Sequence, residues 1–241
     1  MENQNSTDRE IKEHAALLYG MQRSGSNYTR QLLLDNFQHL RFYNHPFSRC
    51  MPTFKHFRLY DEKSAIPDKR FYNSFSYNTF KDFKQHIRQV SGKEIKIYII
   101  CIKDPYSWYV SYMKHAKKNK YPYFKRSLNS HFLIDYNLFY GKWLDFSREA
   151  PEEVYILRYE DLIHDLEGSL ELLGDKFGLQ RSTESAVKPA KVPMNRKFTE
   201  SRAQFYRERK YLDLISEQDK SVIQHLVDQE LLSTFNYQIF P

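Results

Sequence analysis

The chain alternates between short apolar runs and longer segments in which apolar residues recur every three or four positions. The apolar runs are typical of strands, and they lie at 14–19, 54–60, 95–102 and 154–159. The segments with helical spacing lie at 27–37, 79–90, 106–117, 133–148, 160–177 and 216–232. Strands that alternate with helices predict an α/β fold, in which a mostly parallel central sheet is flanked by helices.

The same pattern predicts one domain. Residues 1–13 are polar and lack an apolar period, so we expect them to be disordered and the folded domain to span 14–241. Residues 61–78 are polar and aromatic without a period and are expected to form an irregular insertion, and the segment 180–210 is basic and lacks apolar periodicity. The remaining length is sufficient to bury a complete core.

The net charge and the cysteine content limit which partners the protein can have and in which compartment it is expected. The net charge of +7 favours an anionic partner, such as a nucleotide, an acidic substrate, a nucleic acid or an anionic membrane surface, without choosing among them. The two cysteines are Cys50 and Cys101, and the second lies in an apolar run, where a small hydrophobic residue is more typical than a disulfide. No segment is long and apolar enough to span a membrane, so we expect a cytoplasmic protein without stable membrane insertion.

A glycine-containing loop follows the first predicted strand. The chain has seven glycines, and two of them, Gly20 and Gly25, bracket the sequence Met-Gln-Arg-Ser. A tight turn between a buried strand and a helix directs backbone N–H groups and the helix dipole at one point, which is an anion site and most often a phosphate site. An ordinary strand-to-helix turn is the alternative, and the context favours phosphate.

The residues around the second glycine differ from those of a nucleotide-triphosphate P-loop. That loop carries a lysine and then a magnesium-binding hydroxyl directly after its last glycine, whereas this chain has Ser26 and Asn27 there. The cation, Arg23, instead precedes the glycine. The loop therefore predicts phosphate binding without a metal ion, and a P-loop kinase of a small molecule is kept as the alternative.

The segment from Arg23 to Tyr28, Arg-Ser-Gly-Ser-Asn-Tyr, resembles the 5′-phosphosulfate loop of sulfotransferases that use 3′-phosphoadenylyl sulfate (PAPS). The resemblance implies a P-loop-like, nucleotide-kinase-like architecture and PAPS as the sulfuryl donor. It implies that Arg23 contacts the transferring group and that Tyr28 stacks on adenine. The cradle for the phosphosulfate would be formed by Ser24, Gly25, Ser26 and Asn27. Arginine in the leading position can give two hydrogen bonds to a phosphate but hardly a proton.

A second motif follows the most apolar strand. Lys103 and Ser111, eight positions apart, resemble the 3′-phosphate motif of the same family, in which an arginine stands in place of the lysine. Lys103 would lie at the end of a strand and Ser111 in the next helix, so both can face a ligand over the carboxyl edge of the sheet. A helix start with a solvated lysine is the alternative. Asp104 departs from the family pattern, and nothing in the sequence explains an acid beside a phosphate.

Two further segments resemble cofactor-binding elements of that family. Tyr159, at the end of the last predicted strand, corresponds to a tyrosine that contacts adenine, whereas Glu160 and Asp161 are interpreted as helix-capping acids. The basic segment 191–210 lies where the family has a phosphate-binding loop, and Arg196 and Lys197 are its candidate ligands. A solvated basic face is the alternative for this segment.

A histidine between the first two motifs is the candidate general base, because its pKa lies near neutrality. The resemblance places the base at a strand end, which leaves His56 and His45. We choose His56 over His45, since the pair Lys55-His56 is typical of the family at that point.

The sequence therefore predicts an in-line sulfuryl transfer from PAPS to a hydroxyl or amine of a carbohydrate or small molecule. A basic module that binds nucleic acid would use the Lys- and Tyr-rich stretch 114–126, but it would leave both phosphate motifs unexplained, so no nucleic-acid partner is expected. The sequence does not indicate the identity of the acceptor or the oligomeric state.

Overall fold

A computed structural model describes residues 13–45, 51–59, 75–119, 130–189 and 198–238. Within those ranges, four parallel strands form one sheet in the order β2-β1-β3-β4. The strands are β1 (His14–Tyr19), β2 (Leu40–Phe42), β3 (Ile97–Ile102) and β4 (Val154–Arg158). Helices flank this parallel sheet, which confirms the predicted α/β fold. The expected disorder of the N-terminal segment concerns residues that, apart from Glu13, lie outside the described ranges.

The described helices agree closely with the helical segments predicted for the first two thirds of the chain. They are α1 (Ser26–Asn36), α2 (Phe80–Ser91), α3 (Pro105–Lys118), α4 (Ser130–Glu149), α5 (Tyr159–His164), α6 (Leu166–Phe177), α7 (Glu200–Arg207), α8 (Glu217–Leu226) and α9 (Gln229–Thr234), and a 3-10 helix spans Lys210–Leu214. Side-chain caps explain several of the starts: Thr79 accepts a hydrogen bond from the N–H of Asp82, and Asp104 accepts one from the N–H of Ser107.

The predicted strand at 54–60 is wrong. Over 51–59 the backbone bonds to itself in turns, as in the hydrogen bond from the N–H of Phe57 to the carbonyl of Phe54, and only a single bridge joins His45 to Phe54 in this described stretch. The second strand is instead Leu40–Phe42, whose three residues are too few to produce a readable pattern.

Three further boundaries differ from the prediction because capping residues interrupt the helical pattern. Asp165 accepts a hydrogen bond from the N–H of Gly168 and separates α5 from α6. Asp228 accepts one from the N–H of Glu230 and separates α8 from α9. Thr199 caps α7, a helix that falls in the basic segment without apolar periodicity.

The order of the strands determines where the functional elements meet. The chain passes from β1 to β2 on one side and later places β3 on the other side of β1, so the carboxyl ends of β1 and β3 are neighbours at a switch point. Open α/β sheets bind ligands at such points. β3 is buried along its whole length, which keeps this edge rigid.

Candidate active site

The loop after β1 is shaped by a close approach to the end of β4. Arg23 has φ 75° and Gly25 has φ 92°, and the N–H of Ser24 bonds to the carbonyl of Met21 at 3.1 Å, which closes a tight turn before α1. A Cβ atom on Gly25 would lie 2.2 Å from the ring of Tyr159. Only glycine therefore fits at this position, and the turn places the N-terminus of α1 at the end of β1, where an anion can be bound.

Arg23 and Ser111, which the sequence assigns to two different phosphate motifs, meet in the structure. Arg23 Nε donates a hydrogen bond of 3.3 Å to Ser111 Oγ, joining the β1 loop to α3. A cleft of about 220 Å³ opens beside this contact. Its lining includes three cationic side chains and several hydroxyl groups: Arg23, Ser107, Val110, Ser111, Lys114, Arg202, Phe205, Tyr206 and Tyr211.

The cleft fits an anionic group of phosphate size and charge. The hydroxyl of Ser107 is buried in its wall and has no hydrogen-bond partner among the described side chains and backbone. A buried polar group without a partner is costly unless a ligand or a water satisfies it. The three cations, with no carboxylate among the described lining residues, make the cleft strongly electropositive.

Lys103 lies directly after the end of β3, as the sequence predicts, and its side chain is buried beside the cleft. Its side chain is 2% exposed and lies outside the described lining of the cleft. Its Nζ atom donates a 3.3 Å hydrogen bond to the hydroxyl of Tyr206 and lies 4.4 Å from the ring centroid of Tyr206 and 5.1 Å from that of Tyr159. Lys103 therefore contacts the wall of the cleft through Tyr206.

The unexplained Asp104 has a structural role. It caps α3 through the N–H of Ser107 and lies 3.5 Å from the guanidinium of Arg209. Its own N–H donates to Glu160, a carboxylate that also accepts a hydrogen bond from the hydroxyl of Tyr237. Burial and the nearby Asp104 raise the pKa of Glu160 to about 7. The two acids thus tie the ends of β3 and β4 to the C-terminal segment.

Aromatic side chains cover the other side of the loop. Tyr28 is buried, its ring centroid lies 4.5 Å from that of Phe198 at an interplanar angle of 35°, and it meets Tyr159 edge to face at 6.1 Å. The sequence does not single out Phe198, because this residue belongs to a segment without periodicity. The candidate ligands Arg196 and Lys197 lie outside the described residues, whereas Arg202 from the same basic segment reaches the cleft.

The two candidate histidines occupy different environments. His56 is buried, and its Nδ1 lies 2.6 Å from the carbonyl oxygen of Gly20, the residue that begins the loop. Since a carbonyl only accepts, Nδ1 carries a proton in this contact. His45 is exposed at its side chain and packs 5.3 Å from the ring of Phe54.

Lys55 is a site residue that the sequence does not single out. It has no exposed surface, and its ammonium donates a hydrogen bond to Oδ1 of Asn27 in the first turn of α1. Burial, with a smaller contribution from Arg30, lowers the pKa of Lys55 to about 7. In the sequence, Lys55 is noticed only because it precedes His56, and that position draws attention to the histidine and not to the lysine.

A family model, that of the sulfotransferase domain, matches residues 13–224. The chain belongs to the sulfotransferase family. The match covers the β1 loop, the β3 end and the described cleft, so it confirms the resemblance carried by those motifs. Sulfuryl transfer is the reaction of this family, and the match favours it over the kinase alternative. Curated proteins, compared with the whole chain, provide no match.

Metal-binding and membrane-spanning features can be assessed within the described ranges. No group of three or more His, Cys, Asp or Glu side chains is arranged to hold a metal ion in those parts of the chain. None of the helices that the structure describes has the length and apolar character needed to cross a membrane.

Proposed function

We propose that this sulfotransferase takes its sulfuryl group from PAPS and transfers it to a hydroxyl or amine of a carbohydrate or small-molecule acceptor. The observation that carries the proposal is the junction of Arg23 with Ser111 at the edge of a cationic cleft. PAPS bears phosphate groups at both the 5′ and the 3′ position of its ribose. Two anion sites on neighbouring strand ends suit such a ligand better than a nucleotide with phosphate at one end only.

The residues of the loop are suited to the 5′ side of the donor, which supplies the sulfuryl group and the leaving phosphate. The backbone of Ser24 to Asn27 and the N-terminus of α1 present N–H donors. Arg23 stays charged at any working pH and can form two hydrogen bonds to one phosphate. Lys55, held by Asn27, adds a second positive charge beside the loop in its protonated form, and burial lowers its pKa to about 7.

The cleft is suited to the 3′-phosphate. Ser107, Ser111, Lys114 and Arg202 line it, and the Ser107 hydroxyl gains a partner when an anion enters. Tyr28, buried at the start of α1, lies beside the loop, where its ring can contact adenine. Because Phe198 already packs on this ring at 4.5 Å, a stacked base requires Phe198 to move aside.

His56 is proposed as the general base. Its Nδ1 is held by the Gly20 carbonyl, so Nε2 accepts the proton of the acceptor hydroxyl while the loop holds the group to be transferred. The carbonyl of His56 accepts a 2.7 Å hydrogen bond from Arg58, whose guanidinium binds Asp135 of α4 at 2.6 and 2.8 Å. This buried ion pair holds the backbone of the base against the body of the domain.

A transfer assay tests the proposal. The purified protein is incubated with PAPS labelled in its sulfuryl group and a panel of glycans, phenols and amines, with and without a chelator of divalent cations. We expect label in at least one acceptor and no loss of rate with the chelator. Transfer from ATP that requires Mg²⁺, with none from PAPS, would contradict the proposal.

A further inference from the structure

The hydroxyl of Tyr206 lies between two cationic side chains at the wall of the cleft. Lys103 donates to it at 3.3 Å from the end of β3, and Arg202, one turn earlier in α7, also forms a hydrogen bond with it. Tyr206 is 7% exposed, and it belongs to the lining of the cleft while Lys103 does not.

The hydroxyl of Tyr206 can form one more hydrogen bond besides those from Lys103 and Arg202. Ammonium and guanidinium groups only donate, so the oxygen of Tyr206 accepts from both of them. Its own O–H is left to donate, and no acceptor for it occurs among the contacts of the described residues. A buried phenol in this state favours an acceptor in the cleft, and the surrounding cations select a negatively charged one.

We propose that Tyr206 donates a hydrogen bond to the phosphate bound in this cleft, and that Lys103 acts on that phosphate through Tyr206. Tyr206 is then a binding residue, and Lys103 is a positioning residue that orients and polarises the phenol. The inference rests on the proposed function, since it takes the ligand to be the 3′-phosphate of the donor. It also explains how a fully covered lysine can serve an anion site that it does not line.

The pKa of Tyr206 provides a second consequence. Burial alone would raise this pKa, but Lys103 and Arg202 together hold it below its usual value. The neutral phenol can donate to a phosphate, whereas the phenolate cannot donate and repels it. Affinity should therefore fall as the pH rises through the pKa of Tyr206 in the free protein, and bound phosphate should raise that pKa.

Other charged and titratable groups face Tyr206 from each element packed around it, and they are considered together. They are Arg23 of the β1 loop, Lys103 after β3, Asp104 at the N-cap of α3, Lys114 of α3, Tyr159 of α5, Arg202 of α7, and Arg209 and Tyr211 at the 3-10 helix. Because these groups surround the phenol, only the difference between the wild type and Tyr206→Phe isolates its contribution to the pH dependence.

The test compares the wild type with Tyr206→Phe and with Tyr109→Phe as a matched control. Tyr109 is a buried tyrosine outside the described lining of the cleft, and its hydroxyl already donates a 2.9 Å hydrogen bond to Asp219. Calorimetry measures the dissociation constants for adenosine 3′,5′-bisphosphate and for 5′-AMP. We expect Tyr206→Phe to weaken bisphosphate binding about tenfold and to leave AMP binding unchanged, because a hydrogen bond to a charged group is lost. Tyr109→Phe should bind both ligands as the wild type does.

Spectroscopy of the tyrosinate form gives a readout that needs no variant at the phenol. The lowest-pH tyrosinate transition of the wild type should be absent in Tyr206→Phe, should move to higher pH when the bisphosphate is bound, and should move to higher pH in Lys103→Met. A transition that bisphosphate leaves in place would overturn the proposal, even if Tyr206→Phe fails to fold. If the wild type prefers bisphosphate over AMP but Tyr206→Phe keeps that preference in full, Tyr206 is no ligand while the proposed donor stands. A wild type that binds both nucleotides equally would refute the proposed donor, and this inference with it.

Discussion

The ammonium of Lys55 and the side-chain oxygen of Asn27 form a buried hydrogen bond that joins the histidine-bearing segment to the first turn of α1. A lysine without exposed surface is rare, because burial disfavours its charged form. Lys55 also lies beside the loop that is proposed to bind the transferring group. The unusual protonation of Lys55 can therefore be measured both in stability and in rate.

Lys55→Met should change the pH dependence of stability. The pKa of Lys55 is lowered to about 7 in the folded protein, so the unfolded chain binds the proton more tightly. Folding of the wild type is therefore disfavoured at and below neutral pH, and this cost is relieved as the pH rises from about 7 towards the ordinary lysine pKa of about 10.4. The stability of Lys55→Met relative to the wild type should fall over this range in urea unfolding. The exposed Lys96, changed to Met, is the control and should leave the curve unchanged.

His56→Ala should abolish most turnover. Loss of a general base lowers the rate by roughly 10²–10⁴, while affinity for adenosine 3′,5′-bisphosphate should remain near that of the wild type. His45→Ala is the matched variant, because His45 is exposed and packs on Phe54. Steady-state kinetics and calorimetry on both variants decide the assignment. Near-normal turnover in His56→Ala together with a large loss in His45→Ala would transfer the role to His45.

Asp135→Asn should destabilise the protein strongly. Arg58 and Asp135 have side chains that are 1% and 3% exposed, and removal of one partner deprives the other buried charge of this ion pair, a loss of about 3–5 kcal/mol. The double variant Arg58→Met/Asp135→Leu should recover much of the free energy of unfolding, since both charges are gone. Its turnover should remain low, because the carbonyl of His56 has lost its hydrogen bond from Arg58. Full turnover in the double variant would show that the pair serves stability alone.

Gly25→Ala should cost about 3 kcal/mol or more of unfolding free energy. Its φ of 92° adds backbone strain, and the new Cβ would lie 2.2 Å from the ring of Tyr159. Gly92 provides the control, since it has a φ of 65° but no atom within 4 Å of the position that a Cβ would take. Gly92→Ala therefore measures the strain alone, about 1–2 kcal/mol. Equal losses in the two variants would show that Tyr159 moves aside without cost.

Strands β1, β3 and β4 and the loop were predictable because their signals are local. β3 is an apolar run and β1 is one after its first residue, and the loop carries its glycine and its cation in sequence. The segment 54–60 misled because Phe57 and Leu59, two positions apart, imitate the spacing of a half-buried strand. The polar residues of this segment are buried as well, and nothing in the local sequence indicates the distant groups with which they form hydrogen bonds.

The side-chain contacts of the cleft could not be predicted, because they join residues that are far apart in the chain. Lys103 and Tyr206 are 103 positions apart in the chain, and Arg23 and Ser111 are 88 apart. The family resemblance assigned Lys103 to a phosphate but carried no information on the phenol that the structure places at its ammonium. The position of Arg202 was equally hidden, because α7 lies in a segment whose composition is typical of a solvated basic surface.

The pairing of β1 with β3 also has a consequence for how the protein is made. Ala16 pairs with Ile97, and all of α1, β2 and α2 lie between them in the chain. Contacts between such distant segments form late and slowly. A growing chain that has just produced the glycine loop therefore lacks the cleft, because Ser111 and the rest of its wall have yet to be synthesised. The proposed nucleotide donor would stabilise the finished protein against unfolding, but its 3′-phosphate has no site while the sheet is being built.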